Sequence, residues 1–270
     1  MSRIASTFAT LRGRGRRALM PFLMGGDPTL DATAAFLEGF ARAGADLLEI
    51  GVPFSDPIAD GPINQRAAQR ALGRGTSLPA ILDLVTGVRP RVQQPIVLLS
   101  YYNPILQFGL EAFCRRASAA GVDGVVIPDL PPEEGDPLRA AAAPSGPHTI
   151  FLAAPTSTDE RLAQVARSSQ GFIYCVSLTG VTGVRASVSS DVVALVARLR
   201  RHTALPVCVG FGVSTPDHAR QVASVADGVI VGSAIVALIE RDGAAAGPAL
   251  SEFLRSLRAG VDAAIGAPAS

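Results

Sequence analysis

Eight short apolar runs alternate along the chain with segments of helical periodicity, and this alternation most constrains the fold. The runs are rich in valine, isoleucine and leucine without strict polar–apolar alternation, which is typical of parallel strands buried on both faces. They occupy residues 18–24, 46–51, 95–100, 123–128, 149–153, 171–176, 205–209 and 227–231. Eight such strands separated by helices predict an α/β fold, the (β/α)8 TIM barrel.

The intervening segments support a single barrel domain over residues 1–270. Leu30, Leu37 and Phe40 fall on one face of the segment after the first strand, as in a helix that packs on a sheet. The residues before Ala18 predict an extra N-terminal helix that caps the barrel, and a short helix is expected after strand 8. Barrel enzymes carry their sites where strands end, so the loops that follow strands are informative about function.

The net charge and the cysteine content limit which partners and which cellular compartment are expected. The net charge of +1 gives no general electrostatic attraction to nucleic acid or to a membrane surface. No apolar run approaches the ~20 residues that a membrane helix needs. Cys114, Cys175 and Cys208 are scattered and odd in number, which indicates reduced, buried thiols. We therefore expect a cytoplasmic protein with no membrane or nucleic-acid partner.

The chain has no lysine, because all 24 of its Lys and Arg residues are arginine. This composition excludes a lysine Schiff base, a lysine-anchored pyridoxal phosphate and the lysine of a P-loop. Metal binding is not indicated either, because His148, His202 and His218 are dispersed and none stands beside an acidic pair at ligand spacing.

Three glycine-rich segments follow the last three predicted strands. They are TGVTG (179–183), GFGVS (210–214) and GSA (232–234). Loops at these positions of a barrel commonly bind phosphate through backbone N–H groups, and Ser233 can cap the short helix that follows. Ordinary tight turns are the alternative. The long polar segment 176–190 predicts a mobile lid, with a plain surface loop as its alternative.

The stretch LLEIGVPFSDPIADGP (47–62) places a carboxylate inside an apolar strand and two more in the loop that follows. A buried carboxylate such as Glu49 is costly, so it indicates either a satisfied ion pair or a catalytic group. Asp56 and Asp60 come next, and Pro62 predicts the first turn of a helix. The residues alone thus indicate a barrel that binds a phosphorylated small molecule and transfers protons through carboxylates.

The segment LEIGVPFSDPIADGP closely resembles the signature of the tryptophan synthase alpha chain family. Further motifs occur in the family's order over about residues 15–260: PFLMGGDPT, SYYNPI, VIPDLPPEE, LAAPTSTDERL, SLTGVTG, GFGV and GSAIV. The resemblance implies retro-aldol cleavage of indole-3-glycerol phosphate to indole and glyceraldehyde 3-phosphate. Glu49 matches the family's general acid/base, and Asp60 matches the carboxylate that binds the indole N–H. The indole ring would accept the electrons, which is compatible with the absence of lysine.

The resemblance also implies roles for further residues and for a partner. The implied substrate-binding residues are Phe22, Ser100, Tyr174, Thr182, Gly183, Gly212, Gly232 and Ser233. Asp56 matches a residue that faces the partner. That partner would be a pyridoxal-phosphate-dependent tryptophan synthase beta chain in an α2β2 complex, with no cofactor on this chain. Asn64 departs from the pattern, because an apolar residue is expected there beside the indole pocket.

Other functions compatible with these motifs stay open at this point. A stand-alone lyase that releases free indole could carry identical motifs. A regulatory subunit that binds a phosphate ligand without catalysis would be favoured by loss of Glu49 or Asp60, but both are present. A sugar-phosphate isomerase is a further phosphate-handling barrel.

Overall fold

A parallel sheet curves into a nearly closed barrel in the computed structural model, which describes residues 1–176, 190–210 and 212–264. The strand order is β5-β4-β3-β2-β1-β9-β8-β7-β6, and every pairing is parallel. The strands are β1 (Ala18–Met24), β2 (Leu48–Gly51), β3 (Ile96–Leu99), β4 (Gly124–Val126), β5 (His148–Ile150), β6 (Leu152–Ala153), β7 (Ile173–Val176), β8 (Val207–Gly210) and β9 (Gly228–Val231). The predicted barrel is confirmed.

The predicted strand 149–153 forms two pieces, β5 and β6, separated by Phe151. β5 pairs with β4 on one side, whereas β6 pairs with β7 on the other. At the break, the Phe151 N–H donates to the Ser169 hydroxyl at 3.2 Å, and its carbonyl accepts from the Tyr174 N–H at 3.2 Å. The two ends of the sheet are therefore consecutive parts of one chain segment.

Helices alternate with the strands, and the first one confirms the predicted N-terminal helix. They are α1 (Arg3–Gly13), α2 (Leu30–Arg42), α3 (Pro62–Gly73), α4 (Leu78–Val88), α5 (Tyr102–Phe108), α6 (Leu110–Ala120), α7 (Asp136–Ala142), α8 (Asp159–Ser168), α9 (Ser190–Leu199), α10 (Pro216–Val225), α11 (Ser233–Asp242) and α12 (Gly247–Ala263). Short 3-10 helices cover Pro132–Glu134 and Gly243–Ala246. Over the described ranges, none of the helices combines the length and the apolar character needed to cross a membrane.

Helix α1 closes the end of the barrel where the strands begin. Its Ile4, Phe8 and Leu11 are buried in one cluster with residues from the barrel interior. The rings of Phe8 and Phe172 have centroids 6.0 Å apart. Because this end is filled, the opposite end, where the strands finish, is the one available to a ligand.

The three cysteines are free and buried, as predicted. Burial raises the pKa of the Cys114 thiol to about 11 and that of Cys175 to about 12. A thiol with such a pKa is almost wholly protonated at neutral pH and is a poor nucleophile. These cysteines therefore act as small apolar core residues.

Candidate active site

A cavity of about 150 Å³ opens at the end of the barrel where the strands finish. Its walls come from β1, β3, β7, β8 and β9, from the residues just after β8 and β9, and from the first turns of α3 and α11. The lining residues are Phe22, Asn64, Leu99, Tyr174, Val176, Gly210, Gly212, Ile230, Gly232 and Ser233. The lining combines apolar and aromatic side chains with glycine backbone, one serine and one asparagine. This mixture suits a ligand with a flat apolar part and an anionic part.

Glu49 lies at the second position of β2, in register with Phe22 of β1 and Val97 of β3. Its side chain is fully buried. The Tyr174 hydroxyl donates to Glu49 Oε2 at 3.3 Å, whereas Oε1 has no hydrogen-bond partner among the described residues. Burial raises the pKa of the Glu49 carboxyl from 4.5 to about 8, the Tyr174 hydrogen bond lowers it, and the charge of Asp60 adds to the rise.

No cation contributes to the pKa of Glu49 in the described part of the chain, which argues against the ion-pair alternative. A carboxyl with a pKa of about 8 holds its proton at neutral pH, yet can release it within the working range of an enzyme. Glu49 and Asp60 are not themselves in the lining, but Tyr174, which bonds Glu49, is, so the Glu49 carboxyl lies directly behind the cavity wall. Glu49 therefore has the properties of a general acid that can also act as a base.

Asp60 lies in the loop after β2, immediately before α3, and the surrounding residues fix both its backbone and its carboxylate. The Tyr101 hydroxyl accepts from the Ala59 N–H at 2.9 Å and donates to Asp60 Oδ2 at 3.1 Å. The Gln65 side chain donates to the Asp60 carbonyl at 2.8 Å. Burial raises the pKa of Asp60, and hydrogen bonding by Tyr101 and Asn64 opposes the rise.

The other side of the cavity is built from backbone at the start of α11. This helix begins at Ser233, directly after Gly232, so its N-terminal N–H groups and positive dipole end meet the cavity. Gly212 adopts a φ of +54°, which only glycine takes without strain. This end of the cavity is suited to an anion such as phosphate.

The glycine of the LEIG motif, Gly51, leaves space for the ring of Phe22. A Cβ atom at this position would lie 2.8 Å from the Phe22 ring, which lines the cavity. Any larger residue would therefore displace the ring and change the apolar wall.

The cavity brings together five of the predicted substrate-binding residues: Phe22, Tyr174, Gly212, Gly232 and Ser233. Ser100 is fully buried outside the lining, and its hydroxyl donates to the Tyr101 carbonyl at 3.1 Å. Thr182, Gly183 and most of the predicted lid 176–190 lie outside the described residues. Asp56 is exposed and accepts a hydrogen bond from the Ser55 hydroxyl.

Tyr101 was not singled out from the sequence, although it holds Asp60. It is 2% exposed, and its ring lies 5.2 Å from that of Phe54 between centroids. Its position directly after β3, in the SYYNPI motif, is the signal that could have identified it. Tyrosine at the end of a barrel strand is well placed to orient a catalytic group.

A salt-bridge brace, formed by Asp27, Arg66, Arg70 and Glu240, was also missed. Arg70 of α3 makes two hydrogen bonds to Asp27, at 2.9 and 2.7 Å, and Asp27 is 1% exposed. Arg66 makes two bonds of 2.8 Å to Glu240 of α11, which also accepts from Arg70 at 2.8 Å. The brace joins the helix that follows Asp60 to the helix that begins at Ser233.

The described residues include no group of three or more histidine, cysteine, aspartate or glutamate side chains placed to hold a metal ion.

The whole chain is similar to one family. A model of the family described as tryptophan synthase alpha chain matches residues 8–262. The tryptophan synthase alpha chain of Geobacter sulfurreducens is 55% identical over 259 residues, covering 96% of this chain and 98% of that protein. The crystal structure of tryptophan synthase subunit alpha from Legionella pneumophila aligns with a TM-score of 0.90 at 36% identity, covering 97% of this chain and 99% of that one. A structure of Mycobacterium tuberculosis tryptophan synthase aligns with a TM-score of 0.90 at 39% identity, covering 96% of this chain and 98% of that one. The chain belongs to the tryptophan synthase alpha chain family.

Proposed function

We propose that Glu49 and Asp60 carry out the retro-aldol cleavage of indole-3-glycerol phosphate to indole and glyceraldehyde 3-phosphate. Family membership makes the chain a lyase subunit of tryptophan biosynthesis, and the assignment of residues is our inference. The observation that carries it is the buried, cation-free Glu49 carboxyl, which has a pKa of about 8 and one unpartnered oxygen next to a cavity with an anion-binding end. No lysine is required, because the indole ring accepts the electrons of the breaking bond.

The proton movements balance with these two carboxylates. Protonated Glu49 gives its proton to indole C3, while Asp60 holds the ring N–H and stabilises the positive charge of the indolenine. Glu49, now ionised, takes the proton of the hydroxyl on the carbon attached to the ring. The bond between that carbon and indole C3 breaks, its electron pair restores the aromatic ring, and the hydroxyl carbon becomes the aldehyde. Glu49 ends the cycle protonated, as it began.

The phosphate is proposed to bind the backbone at Gly212, Gly232 and Ser233, where the first turn of α11 offers N–H donors. Phe22 and Tyr174 would contact the indole ring. The roles of Ser100, Thr182 and Gly183 stay predictions from the family resemblance.

As a member of its family, the chain is a subunit of tryptophan synthase. We propose that its partner is a pyridoxal-phosphate-containing beta chain in an α2β2 complex and that the loop bearing Asp56 contacts it. Two exposed apolar side chains support this surface: Ile58 is 83% exposed in the same loop, and Leu106 of α5 is 49% exposed. The two segments follow the paired strands β2 and β3, and large exposed apolar side chains are typical of a protein-binding surface.

The test is cleavage of indole-3-glycerol phosphate by the purified chain, with and without a tryptophan synthase beta chain. We expect slow turnover alone and a sharp increase with the beta chain. Fast turnover that does not change when the beta chain is added would instead identify a stand-alone lyase. The absence of turnover in both conditions would refute the proposed reaction.

Substitution separates the role of Glu49 from a general effect on folding. Glu49→Gln is expected to lower turnover by at least about 100-fold, the usual scale for a lost general acid/base. It should leave binding of inorganic phosphate unchanged, because the phosphate end of the cavity is built from other residues. Glu134→Gln, at an exposed glutamate, is the matched control and should turn over as the unchanged protein does.

A further inference from the structure

Asn64 is a polar residue in the wall of the cavity, where an apolar one was expected. It is the third residue of α3, one turn after Asp60, and shares the lining with Phe22 and Tyr174. Its side chain lies near the Asp60 carboxylate, where an amide N–H donor opposes the rise in the pKa of that group. The amide therefore contacts both a proposed catalytic group and the space that a ligand would occupy.

The chemistry of the two groups fixes how the amide is oriented. An ionised carboxylate only accepts hydrogen bonds, so the amide nitrogen, which donates, faces Asp60. The carbonyl oxygen Oδ1 then points elsewhere. It is buried and has no hydrogen-bond partner among the described residues. Buried polar atoms are nearly always paired, so an unpaired oxygen on a residue that lines the cavity has the capacity to accept from a donor that binds there.

We propose that Asn64 is a specificity-determining residue, whose amide nitrogen positions Asp60 and whose carbonyl oxygen accepts a hydrogen bond from a donor group of the substrate. The inference rests on the proposed function. Indole-3-glycerol phosphate carries two kinds of donor, the ring N–H and the hydroxyls of the glycerol chain. Asp60 takes the ring N–H in the proposed reaction, so a glycerol hydroxyl is the donor expected at Oδ1, and the experiment distinguishes the two.

The charged and titratable groups around Asp60 determine how its ionisation responds to a change at Asn64. Glu49 of β2, Tyr101 after β3 and Tyr174 of β7 each interact electrostatically with Asp60. Tyr101 and Asn64 are the hydrogen-bond donors that favour its charged form. Removing the Asn64 amide leaves Tyr101 in place, so the pKa of Asp60 rises but the carboxylate keeps one donor.

The test compares Asn64→Leu and Asn64→Asp with Gln69→Leu, which removes an amide from an exposed position of the same helix. Both Asn64 variants are close in size to asparagine and lack its N–H donors at neutral pH. We expect kcat/KM for indole-3-glycerol phosphate to fall about tenfold in Asn64→Leu, the scale of one lost hydrogen bond. The low-pH limb of the kcat/KM profile should move to higher pH in both variants, and further in Asn64→Asp because a second carboxylate is added.

A purely structural role for Asn64 would leave the pH profile unmoved. Identical low-pH limbs and identical kcat/KM in Asn64→Leu and Gln69→Leu would therefore overturn the inference. Loss of kcat/KM with an unmoved limb would overturn the positioning of Asp60. If the unchanged protein shows no turnover at all, the proposed function itself fails, and that result is recognisably different.

Binding of indole-3-propanol phosphate, which keeps the ring N–H but lacks the glycerol hydroxyls, identifies the donor. About tenfold weaker binding of this compound to Asn64→Leu would overturn the glycerol hydroxyl as the donor, because the ring N–H is then the only donor it offers. Unchanged binding of this compound, with a raised KM for the substrate, supports a glycerol hydroxyl. Unchanged binding and an unchanged KM together overturn the acceptor role of Oδ1.

Discussion

Replacing Glu49 by glutamine should remove a pH dependence from the stability of the protein. The pKa of Glu49 is 4.5 in an exposed state and about 8 in the folded chain. Between these two values the folded state binds a proton that the unfolded state has lost. Stability from this proton is fully present below pH 4.5 and is lost as the pH rises to about 8.

The size of the effect follows from the distance between the two pKa values. At about 1.36 kcal/mol per pH unit, the whole interval corresponds to about 5 kcal/mol of stability. Between pH 5.5 and 7.5 the expected loss is about 3 kcal/mol. Glutamine keeps the shape of the side chain and does not titrate, so the variant should gain stability relative to the unchanged protein by this amount over the same range.

The assay is urea unfolding of both proteins at several pH values from 5.5 to 7.5. Only the difference in unfolding free energy between the two proteins is used, because the contributions of the other titrating groups then cancel. Glu134→Gln, at an exposed position, should show a difference that does not change with pH. A constant difference between Glu49→Gln and the unchanged protein would refute the argument that burial raises the pKa of Glu49.

Three further substitutions test the surroundings of the site. Tyr174→Phe removes the donor that lowers the pKa of Glu49. The ionisation of Glu49 seen in the pH–rate profile should therefore move to higher pH, and an unmoved profile would contradict this. Arg70→Met leaves Asp27 buried without its cation and should cost about 3–5 kcal/mol in urea unfolding. The exposed pair removed by Arg66→Met should cost less than about 1 kcal/mol, so equal losses would count against a special role of burial.

The barrel was predictable because its signal is repeated along the chain. Each strand is a short apolar run between turn residues, and each needs a helix on its outer face. The break at Phe151 was not predictable in this way, because residues 149–153 are as apolar as the other runs. It depends on which neighbour each half of the segment pairs with, and that is decided only when the barrel closes.

The two carboxylates proposed for the site were named from the sequence, whereas the contacts that they make were not. Glu49 and Asp60 are close in sequence, and the barrel rule places both at the same end. Tyr174 is 125 residues from Glu49, and Arg70 is 43 residues from Asp27, so neither contact follows from local spacing. Side chains that meet across a barrel are brought together by strand register, which the hydrophobic pattern specifies only to within a few residues.

The salt-bridge brace fixes the distance between the starts of helices α3 and α11. Helix α3 starts beside Asp60 and α11 starts at Ser233, and the two helices are joined through Glu240 by ion pairs as well as by the packing of Ala67, Ala68 and Val236. The distance between Asp60 and Ser233, where phosphate binding is proposed, is therefore set by the protein before any ligand binds. Such a site would select substrates by the number of carbons between the ring and the phosphate. Homologues of the substrate with one carbon more or one fewer would be unable to reach both ends at once.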